Sequence, residues 1–212
     1  MRYILFILAI LILAVDHRTP YEEAVDSAVQ IQTGEGSGSG VFVAPDMVLT
    51  AYHVVEDEYD IRIHPPVREN GTVVNSPDRY RHGIRAQVVA ISPGKDLALL
   101  RVEGTGSPMR LGRSPSPGDA VFVIGNGDNV RFRHVLGSVR AVYHDEAMTA
   151  GDAISARMVD ITCPVNMGDS GGPLILNGRL VGIVSYINTD QFGVSKAIDA
   201  GEIADFLREA SR

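Results

Sequence analysis

Two different periods of apolar and polar residues run along this chain. After residue 40 the sequence breaks into short β-branched runs, VFVAP, MVLTA, IRIH, AQVVAIS, LALLRV, AVFVIG, VLGSVRAVY, MVDIT, PLIL, LVGIVSYI and GVSKAI, separated by Gly, Pro, Asn and Asp. Runs of that length, punctuated by turn formers, predict strands, and about a dozen of them predict an all-β barrel or sandwich. Helical spacing occurs near the two ends. Over 20–31, PYEEAVDSAVQI sets Tyr21, Ala24, Val25, Ala28 and Val29 at helical intervals behind Thr19, a capping residue followed directly by Pro. In EIADFLREA, apolar Ile203, Phe206 and Leu207 recur with charges between them, which predicts a C-terminal amphipathic helix over 200–212. The richest internal Pro/Gly/Ser stretch, RLGRSPSPGD at 110–119, divides the strands into two groups of similar size. The expected layout is a helical segment over 16–31, a first β-barrel over 32–109, a linker over 110–119, a second β-barrel over 120–199 and the final helix.

The first 15 residues follow another rule. ILFILAILILAV is an unbroken apolar run over 4–15, behind Met1-Arg2-Tyr3 and ahead of Asp16, His17 and Arg18, the layout of an export signal. At about 1.5 Å per residue it falls well short of a ~30 Å hydrocarbon core, so a conventional spanning helix fits it poorly. Ala14 has Ile12 two positions before it, so no A-x-A site marks a cut. The segment is expected to be a signal peptide or a short N-terminal membrane anchor. A buried core helix fits less well, because the run is apolar on every face.

Composition narrows function more than fold. The 212 residues are 45% hydrophobic and 21% charged, ordinary values for a globular protein. A net charge of −7 lacks the electrostatic footprint of a nucleic-acid binder. The single cysteine, Cys163, excludes an internal disulfide and any Cys-based zinc or iron–sulfur framework. A lone thiol of this kind usually serves as a small buried hydrophobe.

Three positions carry candidate chemistry: His53 in LTAYHVV, Asp96 in GKDLALL and Ser170 in NMGDSGGPL. Each falls just past a predicted strand, where a loop projects side chains from a rigid scaffold. A serine hydroxyl is a poor nucleophile near neutral pH unless an imidazole takes its proton, and the imidazole needs a carboxylate to fix its tautomer. Glycines around Ser170 let the backbone turn sharply and bring the Gly168 and Ser170 N–H groups to one point, as an oxyanion hole requires. Gly168-Asp169-Ser170-Gly171-Gly172 also fits G-x-S-x-G, the α/β-hydrolase elbow, but that fold places its histidine after the serine. All six histidines here, His17, His53, His64, His82, His134 and His144, precede Ser170. The order His53, Asp96, Ser170 is the chymotrypsin-like one.

On these motifs the chain resembles the trypsin-like serine proteases, and in detail the HtrA/Deg branch. GSGSGVFVAPDMVLTAYHVV is similar to that branch's opening strands, KDLALLRVEG to its acid-bearing strand, MRLGRSPSPGDAVFVIGNG to its linker, and VNMGDSGGPLILNGRLVGIV to its nucleophile loop. The resemblance implies two six-stranded antiparallel β-barrels with the site between them, His53 as base then acid, Asp96 as orienter and Ser170 as nucleophile. It also places the substrate-pocket wall at Ser185, Tyr186 and Ile187, and the pocket base at Pro164, where no acid awaits a substrate Lys or Arg. No histidine lies in GIVSYIN, which counts against Glu- or Gln-directed relatives. The expected activity is a serine endopeptidase, without metal or other cofactor, cutting unfolded or extended protein after small or medium aliphatic residues. A catalytically silent, protease-shaped peptide-binding module is the competing reading. Export to a periplasmic or extracellular location is expected, with membrane association through 4–15 as an alternative, and the resemblance allows a homotrimer.

Three departures stand out. The HtrA branch usually has Asn before its serine, whereas Asp169 is the residue of trypsins, where it pairs with an N-terminus freed by zymogen cleavage. No R-I-V-G-G-like site occurs between 16 and 40, so Asp169 is expected to be satisfied by local backbone or a basic side chain. HtrA proteins commonly continue into PDZ domains, and the length of this chain argues against one. The branch's first-barrel insertions are short or absent here, leaving NGTVVNSPDRYRHG at 70–83 as an unplaced loop. Of the weaker signals, His82 with Arg79, Arg81 and Arg85, and His134 with Arg131 and Arg133, read as solvated faces. Gly125-Asn126-Gly127 reads as a turn, since Val130 breaks G-x-G-x-x-G.

Overall fold

The computed structural model describes residues 18–212 apart from 35, 81, 105, 150–151 and 188–192, and leaves out the side chains of 147–149, 152 and 187. The apolar leader at 4–15 therefore lies outside the described residues, among which no helix is long and apolar enough to cross a membrane.

The chain opens with α1 (Pro20–Ala24), closed by a reciprocal capping box in which Thr19 Oγ1 accepts from Glu22 N at 3.2 Å and Glu22 Oε2 accepts from Thr19 N at 2.7 Å. The helix expected over 20–31 is shorter than its spacing implied. It tightens into a 3-10 turn at Val25–Ser27 and gives way to β1 (Ala28–Gln32). Val29 and Ile31 alternate with Gln30 and Gln32, a period of two that pairing with two neighbouring strands selects over the helical reading.

The protein is mostly β. β1, β2 (Ser37–Ala44), β3 (Met47–Thr50), β4 (Ile61–His64), β7 (Ile84–Ser92) and β8 (Leu97–Val102) pair antiparallel in the order β1-β2-β3-β8-β7-β4 and close into a six-stranded barrel. Its interior is filled by Val29, Ile31, Phe42, Val48, Ile63 and Leu100. Of the segment at 70–83, Tyr80 is buried, with its hydroxyl donating to Val74 O at 2.8 Å. β5 (Arg68–Glu69) and β6 (Thr72–Val73) form a hairpin over Asn70 and Gly71, whose φ values of 51° and 82° suit a type I′ turn.

A second, ring-like sheet follows: β9 (Ala120–Gly125), β10 (Arg133–Thr149), β11 (Asp152–Ile161), β12 (Pro173–Leu176), β13 (Arg179–Ile187) and β14 (Ser195–Asp199), each antiparallel to two neighbours. Val121, Val123, Val159, Ile161, Leu174 and Cys163 fill it. The segment before β9 is pinned rather than loose: Leu180 N donates to Arg110 O and Gly112 N to Leu180 O. A third apolar cluster joins the halves, with Leu49 and Leu97 from the first barrel against Ile124 and Ile183 from the second sheet and Phe132 from the turn after β9. α2 (Ala200–Ala210), N-capped by Asp199, buries Ile203 and Phe206 against this seam.

Candidate active site

β3 ends at Thr50, and a 3-10 turn over Tyr52–Val54 lifts His53 to the edge of the barrel. Asp96 follows a second 3-10 turn, Pro93–Lys95, in the left-handed region at φ 52°, and so points back from β8 toward that edge. Tyr52 N donates to Asp96 O at 3.1 Å and His53 N to Asp96 Oδ1 at 3.0 Å, locking the two loops together. His53 Nδ1 then lies 3.0 and 2.9 Å from the two carboxylate oxygens. Ser185 Oγ, from β13 of the other half, donates to Asp96 Oδ2 at 2.5 Å. Burial pushes the His53 pKa down, but bonding and attraction to Asp96, with help from Glu56, outweigh it and hold the imidazole above its ordinary 6.5.

Ser170 enters from the second sheet. Its carbonyl accepts from Ser39 N on β2 at 2.8 Å, and its hydroxyl donates to Ser185 O at 3.2 Å rather than to His53. Before it, Asp169 N donates to Asn166 O at 3.0 Å while Gly168 sits at φ 97°. A four-residue turn with positive φ at its third position and not its second is type II. A Cβ on Gly168 would lie 2.7 Å from Asn126 O, and one on Gly171, at φ 82°, 2.2 Å from both Ser39 O and Thr50 Oγ1. Gly171 is therefore required by the close approach of the two halves, and Gly168 by that of the segment after β9 within the second half. Among the described residues neither the Gly168 nor the Ser170 N–H has a partner.

Residues 38–183 match the family described as the trypsin-like peptidase domain. The chain belongs to that family. Its relatives include Protease Do-like 4, mitochondrial, of Arabidopsis thaliana, 30% identical over 82% of this chain and 32% of that protein. Another is a probable periplasmic serine endoprotease, DegP-like, of Ectopseudomonas mendocina, 32% identical over 74% of this chain and 30% of that protein. The chain thus spans about a third of the length of these curated relatives. Among solved structures, the Rv3671c protease of M. tuberculosis superposes in its active form with a TM-score of 0.77 at 25% identity, covering 89% of this chain and 82% of that one.

In this trypsin-like peptidase domain a cleft of about 440 Å³ runs past His53 and Ser170. One wall carries Val165, Asn166, Val184 and Tyr186, the other Ser37, Val54 and Glu58. Tyr186 faces the cleft, with its hydroxyl on Asp145 Oδ2 at 3.2 Å and its pKa pushed up to about 12, chiefly by burial. Ile187 pairs with Ser195 through its backbone, and its side chain lies outside the described residues. Pro164 is not in this cleft. Its carbonyl accepts from Arg133 and it lines a separate surface groove, so Val165 and Asn166 line the cleft beside the position where the resemblance put Pro164 as the pocket base. Among the described residues no three His, Cys, Asp or Glu side chains gather as metal ligands would.

Asp169 is fully buried. Its carboxylate accepts from Gly127 N at 2.7 Å and Asn166 N at 2.8 Å and pairs with Arg133 Nη2 at 2.9 Å. Burial pushes its pKa above the usual carboxylate range, against the lowering effect of these donors. The reading of Arg131 and Arg133 as a solvated face is corrected here. Arg131 Nε donates to Gln30 Oε1 at 2.9 Å and its guanidinium lies 4.8 Å over the Tyr80 ring. Arg79 and Arg85, by contrast, are solvated. Sequence reasoning also missed Ser39 and Asn126. Ser39 Oγ donates to Gly168 O at 2.7 Å and accepts from Asn126 N and Nδ2 at 3.1 and 2.9 Å, a buried link across the two halves.

Proposed function

We propose that this domain is a serine endopeptidase in which Ser170 is the nucleophile, His53 the base and then the acid, and Asp96 the group that orients His53. The observation that carries the reading is the buried Asp96 carboxylate on His53 Nδ1, because it leaves Nε2 as the proton acceptor and stabilises the imidazolium once formed. From its resting bond to Ser185 O, the Ser170 hydroxyl swings about its Cα–Cβ bond to His53 Nε2. Oγ attacks the peptide carbonyl as its proton passes to Nε2, and the N–H groups of Gly168 and Ser170 receive the oxyanion. The same proton then goes to the departing amine, leaving an acyl-enzyme that water hydrolyses by the reverse proton route.

We read the two six-stranded units as the two barrels of this fold, with the site at their seam and the boundaries near 110–119. Val165, Val184 and Tyr186 give the cleft an apolar wall, which supports substrates carrying small or medium aliphatic residues before the cut and lying extended along Ser185, Tyr186 and Ile187. The apolar run at 4–15 and the periplasmic and mitochondrial names of the relatives support work in an exported or otherwise separate compartment. A fluorophosphonate probe tests the core of the proposal. Wild-type protein should be labelled at Ser170 and Ser170→Ala should not; absence of labelling in both would favour a silent peptide-binding module. A peptide-library profile dominated by Arg, Glu or Phe before the cut would refute the aliphatic preference.

A further inference from the structure

The turn between β9 and β10 contains groups for which the catalytic steps above have no use. Phe132 sits at φ 53°, a left-handed conformation strained for a bulky aromatic residue. Its N–H donates to Asn126 Oδ1 at 3.1 Å, its ring is buried, and its carbonyl accepts from the Tyr21 hydroxyl of α1 at 2.7 Å. The ring of Tyr21 also lies against His134, 5.2 Å between centroids. Residues 132 and 134 are thus both gripped by the N-terminal helix, and the residue between them is aimed under the nucleophile loop. Arg133 Nη2 reaches Asp169 Oδ2 at 2.9 Å and Pro164 O at 2.7 Å, and Nη1 pairs with Asp128. Its Nε is buried with no partner. Such a pair is weak evidence for stability, since desolvation offsets most of its attraction. Its placement is informative, because Asp169 stands between Gly168 and Ser170, which both line the cleft and are the proposed oxyanion donors.

We propose that Arg133 is a positioning residue for the oxyanion turn, held on target by Tyr21 of the N-terminal helix through the strained Phe132. The inference rests on the serine-peptidase reading given above. Arg133 on Oδ2 and Gly127 N on Oδ1 fix the Asp169 carboxylate, while Ser39 Oγ fixes the preceding carbonyl of Gly168. Between these anchors the type II turn keeps the Gly168 N–H outward. Without the guanidinium, the buried carboxylate has lost its counter-charge and moves toward solvent. The turn goes with it, and rotation of the 167–168 peptide withdraws the Gly168 N–H from the cleft.

The test compares steady-state kinetics of wild type, Arg133→Ala, Arg133→Lys and Tyr21→Phe on one peptide substrate, with thermal unfolding of each. Arg133→Ala should lose about 10²–10³ in kcat, the worth of one oxyanion donor, with KM within about threefold. Arg133→Lys keeps a cation beside Asp169 and should recover at least about tenfold of that loss. Tyr21→Phe keeps the ring but drops its hydrogen bond, and should lower kcat about three- to tenfold with KM unchanged. An affinity for a peptide boronate, which forms a tetrahedral adduct, should fall in parallel with kcat. A folded Arg133→Ala with kcat within twofold of wild type overturns the inference while leaving the peptidase reading intact. So does a series in which kcat, KM and unfolding midpoint shift together with Lys no better than Ala. If Arg133→Ala does not fold, wild-type kcat in both Arg133→Lys and Tyr21→Phe overturns it. Wild type that neither turns over nor reacts with the fluorophosphonate removes the peptidase reading and this inference with it.

Discussion

Replacing Asp96 by asparagine alters one atom's hydrogen-bonding character at the most connected point of the site. The carboxylate faces donors: His53 N at 3.0 Å, Ser185 Oγ at 2.5 Å, and His53 Nδ1 at 2.9–3.0 Å. The asparagine side chain has nearly the same shape but converts one acceptor into a donor. The fixed His53 N–H needs an acceptor at the Oδ1 position, whereas the Ser185 hydroxyl can rotate to accept. The amide nitrogen therefore takes the Oδ2 position, 2.9 Å from Nδ1, and donates to it. The imidazole proton is then driven to Nε2, the atom that must accept from Ser170. Loss of the correct tautomer is worth about 10⁴ in kcat in an enzyme of this geometry, or ~5 kcal/mol of barrier. A second effect concerns pH. Burial alone depresses His53, and Asp96 is what raises it above 6.5. Wild-type kcat/KM should therefore rise with pH through a midpoint above 6.5, and that midpoint should fall below 6.5 in Asp96→Asn. The stability linkage has the opposite sense: a folded pKa raised above the unfolded value gives stability that is complete below about 6.5 and is lost as pH climbs through the folded pKa. The pairing thus stabilises the fold most where the enzyme is least active. The assay is a pH series of kcat/KM from 5 to 9 for both proteins, with unfolding midpoints at each pH. An Asp96→Asn enzyme within tenfold of wild type at pH 7, or an unmoved midpoint, would refute the reasoning.

Three further outcomes follow from packing. Gly171→Ala places a Cβ 2.2 Å from Ser39 O and Thr50 Oγ1 at φ 82°, and should destabilise by about 3 kcal/mol or more in urea unfolding, since strain and overpacking add. Ser39→Ala leaves Gly168 O, Asn126 N and Asn126 Nδ2 without their shared partner, and should cost about 2–4 kcal/mol by the same measurement; a change below about 0.5 kcal/mol would show that the link is replaceable. Cys163 is fully buried and its thiol is pushed up to about 12 by burial, so a disulfide-exchange reagent at pH 8 should leave the native protein untouched and titrate one thiol after denaturation. Stoichiometric reaction of the native protein would contradict that burial.

The proposed reacting groups are legible in the sequence because the chemistry dictates both their types and their order: only an imidazole, a carboxylate and a hydroxyl serve, on loops after strands, and the structure sets His53 Nδ1 on Asp96 and lines one cleft with His53 and Ser170. The all-β architecture was legible for a similar reason, since period-two runs have few alternatives. What failed shows where local pattern stops being informative. Val25, Ala28 and Val29 satisfy a helical spacing as well as β1 does, and only pairing of Ala28–Gln32 with β2 and β4 decides between them. Arg133 sits in RFRHV, whose alternating charges look like any solvated strand, because its partner Asp169 comes close only once β10 and the nucleophile loop are folded together. Gly125-Asn126-Gly127 breaks G-x-G-x-x-G and reads as a turn, yet both glycines are needed to admit the buried carboxylate, since a Cβ on either would stand 2.1 or 2.7 Å from an Asp169 oxygen. Supporting groups are hidden for a physical reason, since any buried cation or donor that reaches the same atoms would serve, and their identity is fixed by reach rather than by reactivity. On the role proposed for Arg133, the charge set against the Asp169 carboxylate is selected by what the fold can deliver to it, and in this chain the fold delivers Arg133.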